Sequence, residues 1–202
     1  LNNLLTSVSS SGVYNNALHN DRAYYWTDLG LQDKGYTYDY FSSYTFMDDE
    51  VNVSDGQINS DGVAYKAVVV MEDELPLDAA KKLKEAAENG LPVLFVNNVV
   101  EHPNNSDVDK VNTIAASTTG CNDGKDEELA AVIDEIKALD NVKTIDSCEE
   151  ALDALSELGV TPRAENVESN HKILTNMRKA DDATYLYAYN YMYEDEEAYS
   201  GQ

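Results

Sequence analysis

Two continuous apolar runs, Val68-Val69-Val70-Met71 and Val93-Leu94-Phe95-Val96, have the pattern of strands buried on both faces. Between them Ala80, Leu83 and Ala87 recur at helical spacing, with Pro76 suited to the first turn and Gly90 to the stop. The spacing predicts adjacent parallel strands joined by a helix over Leu77 to Asn89, a βαβ crossover. Downstream, Leu129, Val132, Ile133, Ile136 and Leu139 mark a helix from Asp126, and Val142-Lys143-Thr144-Ile145 reads as a strand. Ser147 and Glu150 form a capping-box pattern opening a helix over Ala151 to Leu158, closed by Gly159.

Upstream the pattern is shorter in period. Leu4-Leu5-Thr6-Ser7-Val8 reads as a first strand, and a helix from Asn20 or Asp21 carries Ala23, Trp26 and Leu29 before Gly35. Tyr36 to Ser42 then reads as an aromatic strand, and Asp55-Gly56 and Asp61-Gly62 as turns. After Val96 a loop rich in Asn, Pro and Asp is expected. This alternation predicts an α/β domain over residues 1–162 with a doubly wound, mainly parallel sheet. Past Pro162 the alternation stops. Ile173-Leu174-Thr175 and Thr184 to Tyr191 read as an antiparallel hairpin, so residues 163–202 form a ribbon that edges the sheet or starts a following β-sandwich.

Charge narrows the functional classes. The 202 residues hold 38 Asp and Glu against 14 Lys and Arg, a net charge of −24, with an isoelectric point near 4.1. Such a surface repels phosphate backbones and anionic lipid, which argues against nucleic-acid and membrane partners. Acidic residues run throughout the chain, as solubility in a salt-adapted or secreted setting requires. No apolar run reaches the roughly 20 residues of a bilayer span, and no basic and apolar leader opens the chain. The start at Leu1 without Met and the end at Tyr199-Ser200-Gly201-Gln202 read as an excised piece of a longer protein.

Candidate chemistry gathers at strand ends, where open α/β sheets meet ligands. Asn97 and Asn98 follow the second apolar strand, either as ligand contacts or as loop caps bonded to backbone. Glu72, Asp73 and Glu74 follow the first, either as an acid/base or cation-binding pair or as carboxylates favoured by a helix N-terminus. Asp39, in the aromatic strand, is a further candidate ligand contact. No metal site is expected: Cys121 and Cys148 are too few and too far apart, and read as structural or free thiols, with a disulfide only in an oxidising compartment. His19, His102 and His171 are scattered, without ligand spacing. Gly120-Cys121-Asn122-Asp123-Gly124 follows a small polar loop rather than a strand, so it does not match a nucleophile elbow. The 14 tyrosines offer sugar stacking or ordinary sheet packing.

The order of elements resembles the glutamine-amidotransferase-like α/β domain, flavodoxin-like in fold, found inside large bacterial glycoside hydrolases, especially α-L-rhamnosidase-like enzymes. The resemblance rests on Gly35-Tyr36-Thr37-Tyr38-Asp39-Tyr40, on Asp61-Gly62 before Tyr65-Lys66-Ala67-Val68-Val69-Val70, on Gly90 before Pro92-Val93-Leu94-Phe95-Val96, on Leu155 to Pro162, and on Arg178 to Asn190. It implies that the amidotransferase nucleophile is missing, since Asn97 and Asn98 stand where that cysteine would follow its strand. It also implies that catalytic carboxylates would lie on a separate barrel. The expectation is therefore a cofactor-free accessory domain of a secreted or cell-surface bacterial glycoside hydrolase. Its partners would be the parent's other domains, with carbohydrate or a second copy as further candidates. The rival expectation is a free-standing flavodoxin-like enzyme or binding protein for a neutral or cationic ligand.

Overall fold

The computed structural model describes residues 30–39, 41–59, 62, 64–101, 110–168, 173–180 and 182–190. The expected first strand at Leu4 to Val8, most of the helix from Asn20 and the Asp61 end of one turn lie outside them, as do all three histidines. The described residues fall into two compact units, one over residues 41–160 and one combining residues 30–39 with those from 161 onward.

The first unit is a mixed α/β layer structure around three parallel strands. β3 (Val68–Val70), β4 (Val93–Val96) and β7 (Val142–Ile145) are hydrogen-bonded in that order, with Val69 level with Leu94 and Lys143 level with Leu94 on its other side. All four β4 side chains are fully buried, as a strand with neighbours on both edges and cover on both faces requires. Helix α3 (Leu77–Glu88) makes the crossover from β3 to β4, as its periodicity predicts, with Pro76 at the cap rather than inside the first turn. Helix α4 (Asp126–Lys137) packs against α3 and precedes β7. Val93, Phe95 and Val142 join Leu83, Ala87, Leu129, Ile133 and Ile136 in one core. Alternation turns Leu94 and Val96 to the other face, and helix α5 (Ala151–Glu157) packs against β4 and β7 with Ala151, Ala154 and Leu155 buried. Ser147 caps the entry to α5 as expected, but onto a 3-10 turn at Cys148–Glu150, accepting the Glu149 N–H at 3.3 Å.

A small hairpin, β1 (Val53–Ser54) with β2 (Gln57–Ile58), turns on Asp55 and Gly56, at φ 53° and 68°. Two left-handed residues make the primed turn that Asp-Gly favours. Gly56 also backs onto Gly90: a side chain there would bring its Cβ to 2.8 Å from the Gly90 carbonyl oxygen.

Two expectations are corrected. The described residues of the expected strand Tyr36 to Ser42 do not form one. Residues 36–39 have no strand conformation, the Tyr36 N–H turns back to the Leu31 carbonyl at 3.0 Å, and Ser42 caps helix α2 (Ser43–Met47) by accepting the Thr45 N–H. Aromatic alternation suits a pleated surface, but alternation alone does not make one. The loop after Val96 also contains an antiparallel pair, β5 (Val99–Glu101) with β6 (Lys110–Asn112). The second unit holds the short helix α1 (Leu31–Lys34), stopped by Gly35 at φ 94°. It also holds the expected antiparallel hairpin, β8 (Ile173–Lys179) with β9 (Thr184–Asn190), as a two-stranded sheet of its own.

Candidate functional site

Because β3, β4 and β7 are parallel, the residues after them share one edge of the sheet: Glu72-Asp73-Glu74, Asn97-Asn98 and Asp146-Ser147. The two sequence-predicted groups thus lie along one edge, and Asp146, which sequence reasoning missed, is bonded to Asn97 and Asn98. Its signal was available, since it stands after the third strand as the others stand after theirs. Asp39 belongs to the second unit.

Hydrogen bonds knit this edge internally. Asn97 donates its Nδ2 to Asp146 Oδ1 at 2.8 Å and accepts the Ala115 N–H on Oδ1 at 3.0 Å. Asn98, in the left-handed region at φ 56°, donates Nδ2 to the Asp146 carbonyl at 2.9 Å. The Glu72 carbonyl accepts the Ala116 N–H, and the Asp73 carbonyl accepts the N–H groups of Ser117 and Thr118, all within 3.1 Å. Leu75 in turn donates to the Thr118 carbonyl at 2.8 Å. The segment 113–119 is therefore laid across the strand ends, with its own Ala115 and Ala116 buried.

A second knot anchors that segment to α4. Thr119 is the one buried polar residue among those described. Its N–H donates to Asp126 Oδ1 at 2.9 Å, and its hydroxyl has Asp123 Oδ1, Asp126 Oδ1 and the Cys121 carbonyl within 3.2 Å. One hydroxyl proton serves one acceptor at a time, so these three compete. The Thr118 hydroxyl donates to the same Asp126 oxygen at 3.1 Å. The Thr119 N–H, seconded by these hydroxyls, holds the Asp126 carboxyl below its ordinary value. Gly120 is required where it stands, at φ 71° with its would-be Cβ 2.8 Å from Glu74 Oε2.

The arrangement is rich in oxygen acceptors and in carboxylates, which favours neutral or cationic contacts over anionic ones. Among the described residues no group of three or more His, Cys, Asp and Glu side chains could hold a metal ion. Cys121 is exposed, and Cys121 and Cys148 are not joined in a disulfide. At the opposite, amino ends of the strands lies a cleft of about 260 Å³ bordered by Asp55, Gln57, Lys66, Pro92 and Val160. No described helix is long and apolar enough to cross a membrane. No family model matches this chain, and no curated protein or solved structure matches it either.

Proposed function

We propose that this chain is a non-catalytic accessory domain of a secreted bacterial carbohydrate-active enzyme, an α-L-rhamnosidase-like glycoside hydrolase, supporting the catalytic barrel or its assembly. The observation that carries the reading is the use made of the strand-end edge. Asn97, which stands where an amidotransferase would place its nucleophile, has its amide nitrogen on Asp146 and its amide oxygen on Ala115. Both ends of that side chain serve the architecture, and among the described residues no nucleophile, base and oxyanion donor converge around it. The finer fold, a doubly wound flavodoxin-like sheet, is supported by α3 and α4 on one face of β4 and α5 on the other.

The second reading, a binding protein for a small neutral or cationic ligand, draws on the carboxylates Glu72, Asp73 and Asp146 sharing one edge with Asn98. Two measurements test the first reading, and the second of them also separates it from its rival. The chain assayed on aryl glycosides and on glutamine gives no turnover; turnover that is lost in Cys121→Ala or Glu72→Gln overturns the non-catalytic reading. A barrel-sized sequence in the same polypeptide supports the accessory role, and a reading frame bounded near Leu1 and Gln202 overturns it.

A further inference from the structure

Strand β9 reads Thr-Tyr-Leu-Tyr-Ala-Tyr-Asn from Thr184 to Asn190, without charge, proline or glycine, in a chain of net charge −24. Edge strands are ordinarily guarded by such residues against pairing with another chain. Both faces of β9 are open: Tyr185, Tyr187 and Tyr189 are 61, 65 and 49% exposed on one, and Leu186 is 56% exposed on the other. A two-stranded ribbon is marginal by itself, and β9 pairs with β8 alone among the described residues.

The register decides which backbone groups face outward. The hairpin closes with the Ala180 N–H donating to the Ala183 carbonyl at 2.8 Å, and pairing runs from Lys179 opposite Thr184 to Ile173 opposite Asn190. Antiparallel pairs alternate between bonded and non-bonded. Tyr185, Tyr187 and Tyr189 therefore turn their N–H and C=O groups toward β8, and Thr184, Leu186, Ala188 and Asn190 turn theirs away from it. A two-fold axis through Tyr187 sets Leu186 opposite Ala188 and Thr184 opposite Asn190 in a second copy, so every new bonded pair uses outward groups. The same axis sets Tyr185 against Tyr189 and Tyr187 against itself. The ring stack of Tyr187 on Tyr189, at 6.4 Å and 13°, continues onto the second copy's tyrosines.

We propose that β9 is a homodimerisation edge, pairing antiparallel with β9 of a second copy about Tyr187 to give a four-stranded sheet with six tyrosines on one face. This goes beyond the accessory-domain reading and does not depend on it. The occupant is a second copy because the strand is self-complementary in register and in side-chain type. It is also a stretch of a strongly acidic chain that two copies can bring together without opposing charges.

The test is sedimentation of the full chain across a dilution series in about 1 M NaCl, where the screening length is about 3 Å. The expected mass is twice 22.3 kDa at the concentrated end. Leu186→Pro removes an outward N–H, a position where an edge strand tolerates proline, and Ala188→Lys adds the missing guard charge; both shift the mass to that of one chain. In a Cys121→Ser, Cys148→Ser background, Tyr187→Cys cross-links two copies on oxidation. The non-bonded pair at the axis lies near 4.5 Å between Cα atoms, within disulfide reach. Tyr185→Cys in the same background does not cross-link, since its partner position is Tyr189. A single-chain mass throughout the series, a dimer that survives Leu186→Pro and Ala188→Lys, or equal cross-linking at 185 and 187 overturns the proposal.

Discussion

Asn97 and Asp146, ends of two adjacent parallel strands, are joined side chain to side chain at 2.8 Å, and the same Asn97 amide holds the Ala115 N–H at 3.0 Å. One residue thus fastens the end of β7 to the end of β4 and ties the 113–119 segment to the end of β4. Ala115 is 1% exposed, so its N–H has no ready access to water if Asn97 is shortened.

Asn97→Ala is therefore expected to destabilise the chain by about 1–3 kcal/mol, the cost of a buried donor left unpaired. Asn97→Asp keeps the acceptor for Ala115 but sets a carboxylate against Asp146, so its loss should be greater at pH 7 than at pH 4. Urea denaturation at the two pH values reads both effects. Unchanged midpoints in both variants would remove the architectural role.

Leu94 lies at the centre of β4 with no exposed surface, between Val69 and Lys143 in register. Leu94→Ala should cost about 2–5 kcal/mol, the range for a buried leucine whose site cannot collapse. Val69 is half-buried and loses two methyl groups in Val69→Ala, so its cost should be smaller. Losses below about 0.5 kcal/mol at both positions would show that this strand pair is not the core of the sheet.

Asp126 has its carboxyl held below its ordinary value of 3.8 by the Thr119 N–H and by the Thr118 and Thr119 hydroxyls. A depressed folded value means that the folded state releases the proton more readily than the unfolded chain. The resulting stability is present above the unfolded value and is lost as pH falls through the folded one. Asp126→Asn should thus lower the melting temperature at pH 7 and flatten the decline below about pH 4. A variant whose acid limb parallels that of the parent would deny Asp126 this role.

The 38 acidic residues against 14 basic ones make self-repulsion the dominant long-range term. Raising NaCl from about 0.1 to 1 M shortens the screening length from about 10 to 3 Å. The melting temperature is expected to rise with salt, although the exposed Lys81 to Glu128 and Lys84 to Glu135 pairs weaken in the same range. A fall in melting temperature over that range would mean that local ion pairs outweigh the net charge.

The sequence by itself determined those elements whose apolar period leaves one solution. Val68–Val70 and Val93–Val96 are continuous apolar runs around a helix with a defined stop, and they fold as the crossover they spell. The helix at Asp126, the strand at Val142 and the closing hairpin follow from the same periodicity. Tertiary structure decided what periodicity cannot carry. Tyr36 to Asp39 has the alternation of a strand but does not form one, because strand formation is a property of a pair of segments and not of one. The site was legible as two separate strand ends. That Asn97 is bound to Asp146 and Ala115, 49 and 18 residues away, depended on strand order and register. Spatial proximity across a sheet is fixed by folding and leaves no local trace in the chain.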